Sequence, residues 1–347
     1  MKLNEEVALF LLDSQQPRRK RLLENLLAGK KTVATIYWAL RYQLLGYLGM
    51  GRYLGVVKLN FRVLEKKQLV KLDDNQAYVL TEQGIGLKNE ILNHYSNFKW
   101  QRNFQTVNFM RFKNRLLLFI QVISEYQHQQ RNYYPVNVPD SEMGFVKYYF
   151  KMIDKTSISN NLKNELLEFF SGLKNDQLAN LFANELVGFQ NNGKALFQIA
   201  SDEHESLIEV YLSDLEVISN LIDFVKHKEN SVILPLLEGL QHAAISESAL
   251  LTLKQYLISH DLNKVAQNRR LKESTIFEHF LELAIYFPIN KFPYSDFIEQ
   301  SQIDALKQEL GSNIDSWKYE SLAVATNLSF FQFRLVEIYL TKVEMGD

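Results

Sequence analysis

The scarcity of chain-breaking residues is the feature that most constrains how this sequence can fold. Six prolines and 14 glycines occur among 347 residues, and Leu, Lys, Glu, Asn and Gln are abundant. Because proline and glycine are the residues that interrupt helices, so few of them predict a mainly α-helical protein. With 46% apolar residues the chain can bury a substantial core, and its length suits two or three domains.

The sequence contains no cysteine, which excludes disulfides, cysteine-ligated zinc, iron–sulfur clusters and thiol catalysis. Residues 1–10 lack the basic-then-apolar order of a signal peptide. The longest apolar run, residues 116–123, is interrupted by Gln121 and is far too short to span a bilayer. These features predict a soluble cytoplasmic protein with no membrane partner, and a location on the nucleoid agrees with them as well.

The net charge of −1 conceals a strong asymmetry between the two halves of the chain. Residues 1–150 contain 22 Lys and Arg and 12 Asp and Glu, a net charge of +10, whereas residues 151–347 contain 17 and 28, a net charge of −11. Such a division predicts that the basic half faces a polyanion and the acidic half faces solvent or a protein partner. A chance distribution of charge in a helical protein is the alternative.

Residues 18–92 contain the first recognisable succession of elements. Apolar residues recur at helical spacing from Leu22 to Leu27, and Thr32 opens a second helix. A third helix is predicted from about Val57 to Lys67, with its basic side chains outward. Between the second and third helices lies a stretch punctuated by glycines.

After the third helix the apolar period changes to two. Residues 68–72 and 77–80 read as short strands, and the polar tetrad 73–76 between them is typical of a turn, so a β-hairpin is predicted. Thr81 is the expected N-cap of a following helix. Three helices followed by a hairpin predict a winged-helix-like unit at residues 1–95, and a generic helical layer with an incidental hairpin is the alternative.

Residues 96–131 combine basic and aromatic side chains with a single acid, Glu125. Aromatic rings stack on unpaired bases and cations neutralise phosphates, so the pattern is compatible with binding of single-stranded nucleic acid. The stronger interpretation is structural, because the apolar residues follow helical spacing and predict a buried face with Arg and Lys at its rim. The apolar residues at helical spacing are Phe109, Phe112, Leu116, Phe119, Ile120 and Ile123. The remaining basic and aromatic residues of the stretch are Phe98, Lys99, Trp100, Arg102, Phe104, Arg111, Lys113, Arg115 and Arg131.

Residues 96–245 as a whole are predicted to be an architectural region of amphipathic helices. The longest of these helices is expected from about Asp202 to Lys228, and Asp140 is the expected cap of another.

Residues 249–287 have the spacing of a helix-turn-helix. A helix around Leu250–Leu257 is followed by a short helix around Leu262–Ala266, a turn at Arg269–Lys272 and a third helix opened by Ser274 and Thr275. The tight turn is needed to bring the third helix across the second at a steep angle.

In this part of the chain the sequence resembles the helicase-associated helix-turn-helix domain, which is found at the C-terminus of many RecQ-type helicases and in the stand-alone YpbB-like proteins. The resemblance covers residues 247–343, and residues 20–48 resemble the start of YpbB-like proteins. It implies a C-terminal domain at residues 246–347 and a non-catalytic, DNA-associated protein that partners a RecQ-type helicase. The motifs that carry it are Leu262–Ala266, Leu271–Ile276, His279–Leu283, Leu328–Val336, Gly29–Thr32 and Ala39–Tyr42.

The predicted helix-turn-helix departs from the pattern of this family in two ways. Arg270 stands where the family usually has a glycine, and the third helix carries Glu273, Glu278 and Glu282. Because affinity for DNA is mostly phosphate neutralisation, three carboxylates would repel it. Docking to a protein, or a purely structural role, are therefore alternatives to groove reading by this helix.

Two stretches resemble catalytic or metal sites only in composition. Gly29–Thr32 looks faintly like a phosphate loop, but Glu24 stands where a P-loop needs its other glycine. Asp202–Glu205 lacks metal-ligand spacing, because Ile208 stands where a second histidine is needed, and a solvated acidic helix start explains it. The sequence therefore predicts a protein that is not an enzyme and holds neither cofactor nor metal.

The function predicted from the sequence is that of a DNA-associated accessory protein that partners a RecQ-type helicase in repair or replication. A sequence-specific transcriptional regulator and a protein-interaction scaffold without nucleic-acid binding are the alternatives, and the sequence does not indicate an oligomeric state. The predicted DNA contacts are Arg18, Arg19, Lys20, Arg21, Lys30, Lys31, Lys58, Arg62, Lys66, Lys67, Arg269, Arg270, Lys272, Ser274 and Thr275.

Overall fold

The computed structural model describes residues 1–92, 99–322 and 328–346, so Phe98 of the basic and aromatic stretch lies outside the described residues. The described chain is mainly helical, with one two-stranded antiparallel sheet, which confirms the predicted fold class. The helices are α1 (Leu3–Leu11), α2 (Lys20–Leu27), α3 (Val33–Arg41), α4 (Met50–Leu54), α5 (Phe61–Lys66), α6 (Glu82–Ile91), α7 (Gln101–Phe104), α8 (Phe109–Gln127), α9 (Asp140–Met152), α10 (Ile158–Gly172), α11 (Asp176–Glu185), α12 (Leu196–Glu203), α13 (Leu207–His227), α14 (Glu247–Ser259), α15 (Leu262–Arg269), α16 (Glu273–Tyr286), α17 (Gln300–Leu310) and α18 (Phe330–Met345). The strands are β1 (Val70–Leu72) and β2 (Tyr78–Leu80).

The chain divides into two compact units. The first unit consists of Met1–Ala28 and Gly49–His242, and the second consists of Gly29–Leu48 and Ala243–Asp347. Helix α3 therefore belongs to the second unit, although it precedes nearly all of the first in the sequence. The sequence-based boundaries near residues 95 and 245 stay predictions.

The predicted hairpin is present in the first unit. Val70 pairs with Leu80 and Leu72 with Tyr78. Asp73 Oδ1 fixes the turn by accepting the backbone N–H of Ala77 at 2.7 Å. Thr81 caps α6 as predicted: its hydroxyl oxygen accepts the N–H of Gly84 at 3.1 Å.

The helices around the hairpin differ from the predicted winged helix. The third helix begins at Phe61 rather than near Val57, and α4 forms inside the glycine-punctuated stretch. Helix α4 packs on α2, and a Cβ on Gly51 would lie 2.7 Å from the Cβ of Leu27, so only glycine allows this approach. Because α3 packs in the other unit, the three predicted helices and the hairpin do not form one compact unit, and the winged-helix interpretation is not confirmed.

Helix α13 is the centre of the first unit. It contacts α1, α7, α8, α11 and α12, and most of its circumference is buried, including the acidic residues Glu209, Asp214 and Glu216. Its predicted start at Asp202 is wrong, because α12 ends at Glu203 and His204 adopts a left-handed conformation with φ of 58°. Ser206 is the true N-cap of α13. Residues 202–205 thus end one helix instead of opening another.

Asp140 is the first residue of α9, and Pro139 occupies the N-cap position that was predicted for Asp140. Within the described residues, no helix has both the length and the apolar character needed to cross a membrane.

The second unit is built on α14, α15 and α16, which have the predicted order and turn. Helix α3 packs on α16 and α18 and buries Ile36, Tyr37 and Leu40 there. Arg41 Nε, at the end of α3, donates to Asp315 Oδ1 at 2.6 Å, and the guanidinium of Arg334 lies 4.0 Å from the ring centroid of Tyr37. A helix from the N-terminal part of the chain therefore completes the core of this unit.

Candidate nucleic-acid interface

Seven of the predicted DNA contacts lie exposed on the first unit, in and beside α2 and α5. They are called here the basic surface and comprise Arg19, Lys20, Arg21, Lys58, Arg62, Lys66 and Lys67.

Glu24 links two parts of the basic surface. Its carboxylate lies 3.9 Å from Lys20 Nζ and 3.2 Å from Lys58 Nζ, and it also accepts the backbone N–H of Leu59 at 3.1 Å. This carboxylate therefore holds the start of α2 beside the segment that leads into α5. Lys58 remains 82% exposed, so its charge stays available to a ligand.

The hairpin links Arg19 to α5. The backbones of Arg18 and Tyr78 exchange two hydrogen bonds of 2.9 Å, and the ring of Tyr78 stacks on Phe61 with centroids 4.2 Å apart. Phe61 directly precedes Arg62, so the cations at the start of α2 and those of α5 lie on neighbouring elements.

The start of α2 adds to the positive potential of the basic surface. Its first turn contains Lys20 and Arg21 and no acid, and Arg19 at the N-cap makes no capping bond through its side chain. Since the N-terminal end of a helix carries a partial positive charge, cations at this position are disfavoured unless an anion is near. The arrangement therefore suits a negatively charged ligand.

Arg18 does not belong to the exposed set, contrary to the sequence-based assignment. It is 7% exposed, and its guanidinium donates to the carbonyl of Leu11 at 2.6 Å. The side chain joins α1 to the chain that enters α2 and is enclosed there. Its role is structural.

Lys30 and Lys31 are exposed but belong to the second unit, next to the start of α3. Lys31 Nζ donates to the carbonyl of Ala244 at 2.8 Å. The structure therefore does not assign these two lysines to the basic surface.

In the helix-turn-helix, Arg269 is a structural residue. Its guanidinium donates to the carbonyl of Ser248 at 2.6 Å and to the hydroxyls of Ser248 and Thr252, which fastens α15 to α14. Arg270 is exposed and adopts a left-handed conformation with φ of 53°. Glycine adopts this conformation without penalty, which gives a physical reason for the glycine that the resembling family usually has at this turn.

Helix α16 is enclosed by its neighbours. Its residues beyond the first turn are buried or half-buried against α3, α14 and α18, apart from the exposed Glu278. Glu282 accepts the N–H and hydroxyl of Ser246 at 2.7 and 2.8 Å and so holds the start of α14. In the first turn Ser274 is exposed and Thr275 half-buried, and Lys272 at the N-cap is exposed. The length of α16 is therefore not available to enter a DNA groove.

The described part of residues 96–131 confirms the buried apolar face, whereas Lys113 and Arg115, which were expected at its rim, are only 11% and 4% exposed. All six apolar residues at helical spacing are buried, and Trp100 is buried as well. Arg111 and Arg115 donate to Glu142 at 2.6 and 2.5 Å. The aromatic rings that would have to stack on bases are thus mostly in the core. The charges of Arg111 and Arg115 on α8 are compensated by the carboxylate of Glu142 in the same unit.

A buried group of four polar side chains was not anticipated from the sequence. Lys113 Nζ donates to Glu185 Oε1 at 2.6 Å and to Asp214 Oδ2 at 2.7 Å, and Tyr53 donates its hydroxyl to the same Asp214 oxygen at 2.6 Å. Burial, together with the charge of Asp214, raises the pKa of Glu185 to about 8. Glu185 therefore keeps its proton at neutral pH.

None of the described His, Asp and Glu residues are grouped in a way that could hold a metal ion.

Comparisons with known proteins agree with the geometry of the second unit. Residues 248–337 match a family described as a helix-turn-helix domain. The chain is also similar to Protein YpbB of Bacillus subtilis (strain 168), with 24% identity over 323 residues that cover 90% of each protein. No solved structure matches the chain. The protein thus contains a C-terminal helix-turn-helix domain, to which the N-terminal helix α3 contributes, within a chain similar to YpbB along nearly its whole length.

Proposed function

We propose that this protein binds DNA through the phosphate backbone and acts as a non-catalytic accessory protein in repair or replication. The observation that carries the proposal is the basic surface, seven exposed Lys and Arg on α2, α5 and the segment before α5. Such cations contact phosphates without regard to base sequence. The helix-turn-helix domain in the same chain supports the proposal, because that fold is common among DNA-binding proteins.

Binding of this kind has a characteristic dependence on salt. Each phosphate contact lowers the slope of log K against log salt by about 0.9, so five to seven contacts correspond to a slope between about −4.5 and about −6.3. The enclosed α16 does not favour the alternative of a regulator that reads one operator. We expect duplexes of unrelated sequence to bind with similar affinity and forked DNA to bind at least as well.

The finer proposal is a partnership with a RecQ-type DNA helicase. It is supported by the resemblance of residues 247–343 to the helicase-associated domain and by the acidic second half of the chain, which suits a protein partner better than DNA. We expect a purified RecQ-type helicase to bind the full chain and to unwind forked DNA faster in its presence. A helicase that neither binds nor responds would remove this part of the proposal.

The DNA-binding proposal is tested by charge reversal within the basic surface. We expect Lys66→Glu with Lys67→Glu to weaken duplex binding at least tenfold at about 50 mM salt, measured by fluorescence anisotropy. Lys163→Glu with Lys174→Glu is the matched control, since both lysines are exposed on α10 and just after it in the same unit.

Unchanged affinity in the α5 variant, or a response to salt that is flat, would overturn the proposal. Failure of the unmodified protein to bind any DNA at low salt, with retained binding of a helicase, would favour a protein-interaction scaffold.

A further inference from the structure

The segment from α15 to the start of α16 is the most basic part of an otherwise acidic unit. Residues 243–347 contain ten Lys and Arg, and four of these fall within residues 262–272, which contain no Asp or Glu. The same 105 residues contain 14 Asp and Glu in all. A local concentration of positive charge is therefore present within the domain that matches the helix-turn-helix family.

Helix α15 presents one polar face to solvent. Asn263, Lys264, Gln267 and Asn268 are exposed, and their spacing of three and four residues makes them neighbours on the helix surface. Val265, on the opposite side, is buried. Arg270 and Lys272 continue the exposed surface through the turn. These six side chains are called here the α15 face.

The polar groups of the α15 face are scarcely engaged within the protein. In the described chain, the side chains of Asn263, Gln267, Asn268, Arg270 and Lys272 take part in no hydrogen bond or ion pair. Lys264 Nζ lies 3.9 Å from Asp261, whose carboxylate already accepts two backbone N–H groups at the start of α15. Three cations and three amides are thus available to an outside ligand.

The chemistry of the α15 face fits the DNA backbone better than it fits base edges. Lys and Arg neutralise phosphates, and amide side chains donate hydrogen bonds to phosphate and sugar oxygens. In a helix-turn-helix the recognition helix reads base edges, chiefly with its N-terminal residues. The corresponding helix here, α16, has the acid Glu273 in its exposed first turn and is enclosed beyond that turn by α3, α14 and α18. The exposed polar surface of the motif lies on its second helix instead.

We propose that the α15 face is a second contact site for the phosphate backbone of double-stranded DNA and that it holds the duplex without reading its sequence. This inference rests on the proposed function, since it requires that the chain binds DNA. It assigns the helix-turn-helix domain a gripping role in place of groove reading.

The test uses substitutions that remove charge and spare the fold. Arg270→Gly suits the left-handed conformation of this residue. Lys272→Ser places a favoured residue at the N-cap of α16, where no side-chain capping bond exists. Lys264→Gln completes the triple variant. A matched control replaces three exposed lysines elsewhere in the same unit, Lys291, Lys307 and Lys318, with Gln.

Duplex binding by the full-length proteins is measured by fluorescence anisotropy across a salt series, with two unrelated duplex sequences. We expect the triple variant to bind both duplexes at least tenfold more weakly at about 50 mM salt and to reduce the salt slope by about 2 to 3. The control triple is expected to stay within about twofold of the unmodified protein. Circular dichroism melting confirms that each variant is folded.

An α15 triple variant that binds like the control triple would overturn the inference. Weaker binding to only one of the two duplexes would also overturn it, because that result indicates base reading. If the Lys66→Glu, Lys67→Glu variant loses binding while the α15 triple variant does not, the inference fails and the proposed function stands. If the unmodified protein binds neither duplex, both fail together.

Discussion

Lys58 and Lys113 both contact carboxylates, yet they lie in opposite environments. Lys58 shares Glu24 with Lys20 and remains 82% exposed, whereas Lys113 is 11% exposed and lies between Glu185 and Asp214. Each represents its region: the cations around α2 and α5 stay at the surface, and those along α8 are paired inside the first unit. Two stretches of similar basic composition therefore serve different purposes, one suited to an external anion and the other to internal packing.

The largest effect is expected from removing the buried cation. Lys113→Ala removes the cation that Glu185 and Asp214 share in the interior, and we expect a loss of about 3 to 5 kcal/mol in the free energy of unfolding. Urea denaturation followed by circular dichroism measures this loss. Lys66→Ala, on the basic surface, is expected to stay within about 0.5 kcal/mol of the unmodified protein. Equal effects of the two substitutions would break the comparison.

The buried group also predicts a dependence of stability on pH. Burial raises the pKa of Glu185 to about 8, above the ordinary value of 4.5, so the folded protein binds a proton that the unfolded chain releases. The contribution of this bound proton to the free energy of unfolding is fully present below pH 4.5 and is lost as the pH rises towards 8. The decline is at most about 1.4 kcal/mol per pH unit.

Glu185→Gln imitates the protonated side chain and should flatten this decline. We expect the variant to match the unmodified protein at pH 4 and to be the more stable of the two at pH 8, as measured by urea denaturation at both values. Glu168→Gln, at a carboxylate that is 60% exposed, is the control. If stability declined with pH equally in the unmodified protein, Glu185→Gln and Glu168→Gln, the assignment of this pH dependence to Glu185 would be contradicted.

A smaller effect is expected at Arg270, an exposed cation held in a conformation that favours glycine. Arg270→Gly alone should raise the free energy of unfolding by about 0.5 to 1 kcal/mol, because it relieves the left-handed backbone at φ of 53°. Thermal melting measures the change. Lys264→Gly, at an exposed residue inside α15, should instead lower the free energy of unfolding by about 1 kcal/mol. A loss of stability in Arg270→Gly would show that the arginine side chain makes contacts that stabilise the fold.

The smallest effect tests whether Glu24 masks part of the basic surface. Glu24→Gln keeps an oxygen for the N–H of Leu59 but removes the charge shared by Lys20 and Lys58. We expect duplex affinity to rise by about two- to fivefold at low salt and the gain to fade at high salt, since exposed charges are screened. Glu168→Gln again serves as the control. Weaker binding by Glu24→Gln would mean that Glu24 orders the lysines more than it neutralises them.

The features that could be predicted from the sequence are those with local causes. The hairpin followed from an apolar period of two around a polar turn, Thr32 opens α3 as expected, and Thr81 is the predicted cap of α6. The order of α14, α15 and α16 followed from the spacing of apolar residues and the turn between them.

The features that could not be predicted depend on residues far away in the chain. Lys113 and Lys58 are the same residue type, and only acids 72 and 101 residues from Lys113 decide that it is buried. The apolar side of α3 looks like part of the N-terminal region until its partners α16 and α18 are known. The candidate nucleic-acid interface was also anticipated only in part, because burial of a cation depends on partners far away in the chain. The exposed lysines were identified, whereas the burial of Arg18 and the attachment of Arg269 to α14 depend on carbonyls and hydroxyls that no local pattern shows.

The contribution of α3 to the second unit has a consequence for how the protein is synthesised. The ribosome completes residues 29–48 early, but the helices that cover Ile36, Tyr37 and Leu40 emerge only after some two hundred further residues. Nascent chains fold from the N-terminus as they emerge, so this apolar helix must wait through the synthesis of almost the entire first unit. A chain interrupted before α16 would leave that surface uncovered, and a fragment limited to residues 248–337 would lack one of the helices that close its own core.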